Sequence, residues 1–127
     1  MIFLVIKMQY IIYEYQKQYR DLFQQYHHLQ DYLTHLKNDD IYTKKLKQSF
    51  YQDIRFLDDI IYNKLSKRQD YKKIGHLHIL FNLLTGEKST LIIKNNQIYI
   101  HSTNKNNIFF YIVYQNLKYY VIIEKEL

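Results

Sequence analysis

Cysteine, proline, tryptophan and alanine are missing from this 127-residue chain, and glycine occurs only twice. Without cysteine there are no disulfide staples and no thiolate metal sites, so the core must stabilise itself. Without proline and with so little glycine, no stretch reads as a linker, and the chain is expected to form a single domain over residues 1–127. A long apolar run is lacking too. Residues 1–8 are apolar only until Lys7, far short of the about 20 residues that span a bilayer. No basic segment precedes this run and no small-residue cleavage site follows it, which points to a cytoplasmic protein with no integral membrane span.

Tyrosine, phenylalanine and isoleucine fill the space left by the missing residues, with 15 Tyr, 7 Phe and 18 Ile. Lysine outnumbers arginine by 15 to 3. These residues share A/T-rich codons, so the skew reflects an A/T-rich gene of the kind found in mobile elements, organelles and reduced genomes. The hydrophobic fraction of 47% and charged fraction of 24% are ordinary for a folded protein.

Apolar residues recur at alternating steps of three and four through Val5, Met8, Ile12, Tyr15, Tyr19, Leu22, Tyr26, Leu29, Leu33 and Leu36. This heptad spacing predicts one helix over residues 5–36. Asn38, Asp39 and Asp40 end it and cap the next. A second helix over 41–65 is predicted from Tyr42, Leu46, Phe50, Ile54, Leu57, Ile60, Ile61 and Leu65, which share one arc at 100° per residue. The two would pack as an antiparallel helical hairpin over residues 1–66.

Residues 67–75 read as a basic connector, and residues 76–127 as an antiparallel sheet. Asn95-Asn96 suits the positive φ angles of a two-residue hairpin turn, which would pair Ile93 with Ile98 and Leu91 with Ile100 on one face. A second hairpin is predicted from 108–114 and 117–124 about Gln115-Asn116, apolar on both faces. Residues 76–84 form either a fifth strand or a short helix, with strand favoured. The expected fold class is therefore α+β: an N-terminal antiparallel helical hairpin, then a C-terminal antiparallel β-meander of four or five strands.

Candidate chemistry is sparse. Arg20 and His27 lie seven residues apart, a spacing that resembles the Arg-x(4–6)-His motif of HEPN ribonucleases. The resemblance implies a His acting on a ribose hydroxyl and an Arg steadying the phosphate, but that family is all-helical and strands are expected here. The reading adopted is a pair of solvated residues on a helix's outer face. His76 and His78 would share a face of a strand and begin a metal site, for which His101 or Glu87 could supply a third ligand. No spacing forces such a grouping, and histidines at a sheet margin are the reading adopted. His101-Ser102-Thr103 resembles one half of the paired His-x-Ser/Thr signature of two-histidine phosphoesterases, without a second copy. Asp53, Asp58 and Asp59 read as solvating residues of the second helix. No catalytic residue, metal ligand or cofactor is assigned, and the protein is expected not to be an enzyme.

The net charge of +6 is unevenly placed. Residues 41–73 hold nine Lys/Arg against four Asp, and within them Lys64, Lys67, Arg68, Lys72 and Lys73 surround Tyr71. Such a cluster can meet phosphates with its cations and a base with its ring. The expected function is that of a small basic accessory protein that binds DNA or RNA with little sequence preference. The alternative is a structural or interaction protein, binding a protein partner or a second copy through the heptad seam or the two-faced apolar sheet. An apolar start, a long helix and a C-terminal sheet also resemble the layout of type IV pseudopilins, though the prepilin Gly and Glu are absent.

Overall fold

A computed structural model of the chain describes residues 7–15 and 52–127. Among these residues, six strands and two helices follow in the order β1 (Met8–Glu14), α1 (Phe56–Leu65), β2 (Tyr71–Ile74), β3 (Leu77–Phe81), β4 (Lys88–Lys94), β5 (Gln97–Ser102), α2 (Ile108–Asn116) and β6 (Tyr120–Glu126). The strands make one antiparallel sheet in the order β2-β3-β4-β5-β1-β6. The sheet is not a meander: β1 enters between β5 and β6, pairing Tyr10 with Ile100 on one side and with Glu124 on the other.

The N-terminal helical hairpin is overturned by β1. Met8 and Ile12 satisfy the heptad spacing, but residues 10–13 form the unbroken run Tyr-Ile-Ile-Tyr, and all four are buried. A central strand covered on both faces gives such a run, which a three-four spacing mimics over so short a stretch. The rest of the seam, residues 16–36, lies outside the described residues, as do Arg20 and His27. The second helix is shorter than predicted: residues 52–54 are not helical, α1 begins at Phe56, and residues 41–51 lie outside the described residues. Its arc is otherwise right, with Ile54, Leu57, Ile61 and Leu65 in the core.

The second hairpin is also overturned. Residues 108–114 are all β-branched or aromatic, yet they form most of α2 because Asn107 caps them: its Oδ1 accepts the Phe109 N–H at 2.9 Å. Phe109, Phe110, Ile112 and Val113 are buried while Tyr111 is 59% exposed, the pattern of one helical arc with a residue on the opposite side. Tertiary packing has outweighed strand propensity here.

The Asn95-Asn96 hairpin forms as predicted, with φ of 54° and 59° and with Ile93 opposite Ile98 and Leu91 opposite Ile100. Residues 77–81 are a strand, as favoured. The basic connector, by contrast, runs into a strand, β2, which occupies Tyr71–Ile74. Gly75, at φ 59°, turns the chain back into β3.

Both helices contribute to one core with the sheet face that carries Tyr10, Ile12, Leu80, Leu91, Ile93, Ile98 and Ile100. Each fully buried Ile or Leu there contributes about 1.5–3 kcal/mol of transfer free energy. Phe110 meets Tyr10 edge-on at 5.0 Å, which seats α2 over the central strand. The other sheet face is apolar as well, with Ile11, Tyr13 and Ile79 buried and Ile92, Val121 and Ile123 half-buried. Among the described residues, no helix is long and apolar enough to cross a membrane.

Candidate nucleic-acid interface

Strand alternation decides where the predicted cations point. Tyr71 and Lys73 face inward, toward α1, while Lys72 faces outward from the same strand. Tyr71 is only 8% exposed, so its ring is not presented for stacking on a base. Lys73 is half-buried, with its ammonium 5.4 Å from the centre of the Tyr62 ring. Lys64, Lys67 and Lys72 are exposed. Arg68 is held by two parallel bonds to Asp70, at 2.8 and 2.7 Å. This pairing holds the Asp70 carboxyl below the usual carboxylate range and raises the guanidinium above its ordinary value.

The cations therefore form a rim rather than a ring around Tyr71. Lys64, Lys67 and Arg68 lie at the end of α1 and its exit, and Lys72 and Lys73 fork from β2, an edge of the sheet. Lysines on a short edge strand also discourage edge-to-edge pairing with another chain.

Tyr71 belongs to a buried polar chain that no local sequence pattern announces. Its hydroxyl lies 2.7 Å from Nδ1 of the fully buried His78, and His78 Nε2 lies 2.8 Å from Asp58 Oδ1 on α1. A carboxylate only accepts, so Nε2 carries the hydrogen, and Nδ1 of a neutral ring accepts from the tyrosine. Burial lowers the His78 pKa despite the opposing pull of Asp58, and burial pushes the Tyr71 hydroxyl up to about 12. Both groups stay neutral near pH 7. The chain has the order of a catalytic relay, but its terminal hydroxyl is buried and protonated, so it braces α1 against β2 and β3 instead of presenting a nucleophile. Asp58 is thus a bracing residue and not merely a solvating one; Asp53 pairs with Arg55 at 2.7 Å.

Beside Arg68 a cleft of about 460 Å³ opens between the β3–β4 loop and the loop before α2. Ser102 Oγ, at its floor, receives Asn107 Nδ2 at 3.1 Å and the Ser89 hydroxyl at 3.1 Å. Thr103 Oγ1 reaches Glu87 Oε2 at 3.4 Å, while Phe81, 40% exposed at the end of β3, shares the outward phase of Ile79.

No family model matches the chain, and no curated protein matches it.

The remaining sequence motifs are separated. His76 sits exposed in the β2–β3 turn while His78 points into the core, so the two do not share a face. His101 lies opposite Thr90 on the outer face, whereas Thr103 follows the end of β5 and lines the cleft. Among the described residues, no three His, Asp or Glu are grouped as a metal site would need. The cleft's polar floor was missed in the sequence because Ser89, Ser102 and Asn107 come from three different elements or loops. Parity alone offered a signal for His78, which shares the phase of the core residue Leu80.

Proposed function

We propose that the protein is a non-enzymatic accessory protein of the cytoplasm that binds nucleic acid through the basic rim of Lys64, Lys67, Arg68, Lys72 and Lys73, with little sequence preference. The observation that carries this reading is the clustering of charge: five cations within ten residues lie along the exit of α1 and one sheet edge, and four of them, Lys64, Lys67, Arg68 and Lys72, are exposed. Cations so placed release counterions from a phosphate backbone on docking, which gives affinity without base readout. Tyr71 has no part in it, since its ring and hydroxyl are committed to the buried chain.

The test is binding to labelled DNA and RNA between about 50 and 200 mM salt, the range in which phosphate contacts show themselves. The wild-type affinity is expected to fall steeply with salt and to vary little with sequence. Changing Lys64, Lys67 and Lys72 together to Gln is expected to weaken binding to every sequence and flatten the salt dependence, without moving the melting temperature. No binding at the low-salt end would defeat this reading. It would leave the protein-partner reading ahead, which has the apolar outer face of the sheet in its favour, with Ile74 exposed and Ile92, Val121 and Ile123 half-buried.

A further inference from the structure

We infer that β6 is the contact through which two copies of this chain pair, edge to edge, into one continuous sheet. The sheet ends in two unlike edges, β2 and β6. Strand β2 is four residues long and carries Lys72 and Lys73, the protection that edge strands use against pairing. Strand β6 is seven residues long, and its first four, Tyr120, Val121, Ile122 and Ile123, hold no charge, glycine or proline. Among the described residues no strand pairs with its free side, which leaves a row of main-chain donors and acceptors beside an apolar stretch.

The bonds to β1 fix which groups that row contains. The Tyr15 N–H donates to the Tyr119 carbonyl and the Leu127 N–H to the Lys7 carbonyl, so the odd-numbered residues of β6 bond to β1. The N–H and C=O groups of Tyr120, Ile122 and Glu124 therefore point away from the sheet. A second copy related by a twofold axis runs antiparallel to the first, and like faces stay together only if the register is centred on a residue. Centring on Ile122 sets Ile122 opposite itself, Val121 opposite Ile123 and Tyr120 opposite Glu124, so all three outward residues exchange both main-chain bonds. It also joins Val121 and Ile123 of both copies into one apolar stripe beside Tyr13 and Ile11, and carries Glu126 of each copy toward Lys118 of the other. Centring on Ile123 would set Glu124 against Ile122 and Lys125 against Val121. Centring on Glu124 would set that carboxylate against its own copy, and centring on Val121 would keep only residues 120–122 paired. The edge is thus complementary to itself in one register, which commits it to a second copy of this chain. The β2 lysines stay at the two far edges, so the pairing does not depend on the rim reading.

The experiment is sedimentation equilibrium of the full chain over a concentration series, which is expected to show a reversible equilibrium approaching twice the chain mass. Glu124→Pro removes an N–H that faces away from β1, so the chain's own ladder keeps its bonds while the pairing between copies loses some. This variant is expected to stay at the mass of one chain, with a melting temperature near the parent's at concentrations where both are monomeric. Glu124→Ala, which loses the ion pair with Lys105 but keeps the N–H, is expected to dimerise like the parent. Because the chain has no cysteine, Ile122→Cys reads the register directly. Under mild oxidation it is expected to link to its own copy faster than Leu84→Cys, although Leu84 is 97% exposed and Ile122 is half-buried. A parent that is monomeric at every concentration, a Glu124→Pro variant that dimerises, loss of the dimer in Glu124→Ala, or Ile122→Cys linking no faster than Leu84→Cys overturns the pairing. Should Glu124→Pro fail to fold, the two cysteine variants decide alone.

Discussion

Two polar networks lie a few residues apart on β3 and its neighbours, and they differ in how completely they are closed. In the chain Asp58–His78–Tyr71 every ring nitrogen has a partner at 2.7 or 2.8 Å, His78 is fully buried, and three elements are tied together. In the cleft the floor is bonded in the same way, but Glu87 and Asn106 in its walls are exposed to solvent. A closed network spends all its hydrogen-bonding capacity on the fold, whereas an open one keeps some for a ligand. The same residue types are thus fully committed in one place and partly uncommitted in the other.

The largest expected effect comes from breaking the closed network. His78→Ala leaves the Tyr71 hydroxyl and the Asp58 carboxylate without the ring and opens a cavity, at a cost of about 3 kcal/mol in urea unfolding. Its pH dependence should follow as well. The folded His78 pKa lies below the ordinary value of 6.5, lowered by burial and by Lys73 and His76 against the pull of Asp58. The unfolded chain therefore binds more protons, and stability is lost as pH falls from about 6.5 toward the folded pKa. His101 is lowered in the same direction, by burial and by Lys7 and Lys94, so His78→Ala should reduce the slope without abolishing it. A wild-type stability that is flat through this window would contradict the neutral, closed state of the chain.

A smaller effect is expected at the cleft floor. Asn107→Ala removes the cap of α2 and the bond to Ser102, and should cost about 1–2 kcal/mol by the same unfolding measurement. If it costs as much as His78→Ala, the cleft is part of the core and the contrast between the networks fails.

How far this organisation could be read from the residues depended on how local its causes were. The Asn95-Asn96 turn was legible because two adjacent asparagines supply the required φ > 0, and the alternation of Leu91, Ile93, Ile98 and Ile100 fixed the register. The arc of α1 was legible for the same reason. Strand β1 was not, because a central strand apolar on both faces carries no alternation and its partners lie about ninety and more residues away. Helix α2 was not, because its residues favour strands and only the Asn107 cap and the packing on Tyr10 decide otherwise. Of the site, the cations were visible as a cluster, but the burial of Tyr71 depended on His78 and Asp58, which lie 7 residues after and 13 before it.

The most direct test of the account is an amide chemical-shift map of the protein titrated with a labelled single-stranded oligonucleotide at low salt. The account predicts that shifts concentrate on residues 64–73, and that the Asn95-Asn96 turn between β4 and β5 stays still. Shifts centred on that turn or on the outer sheet face, or none at all, would contradict it.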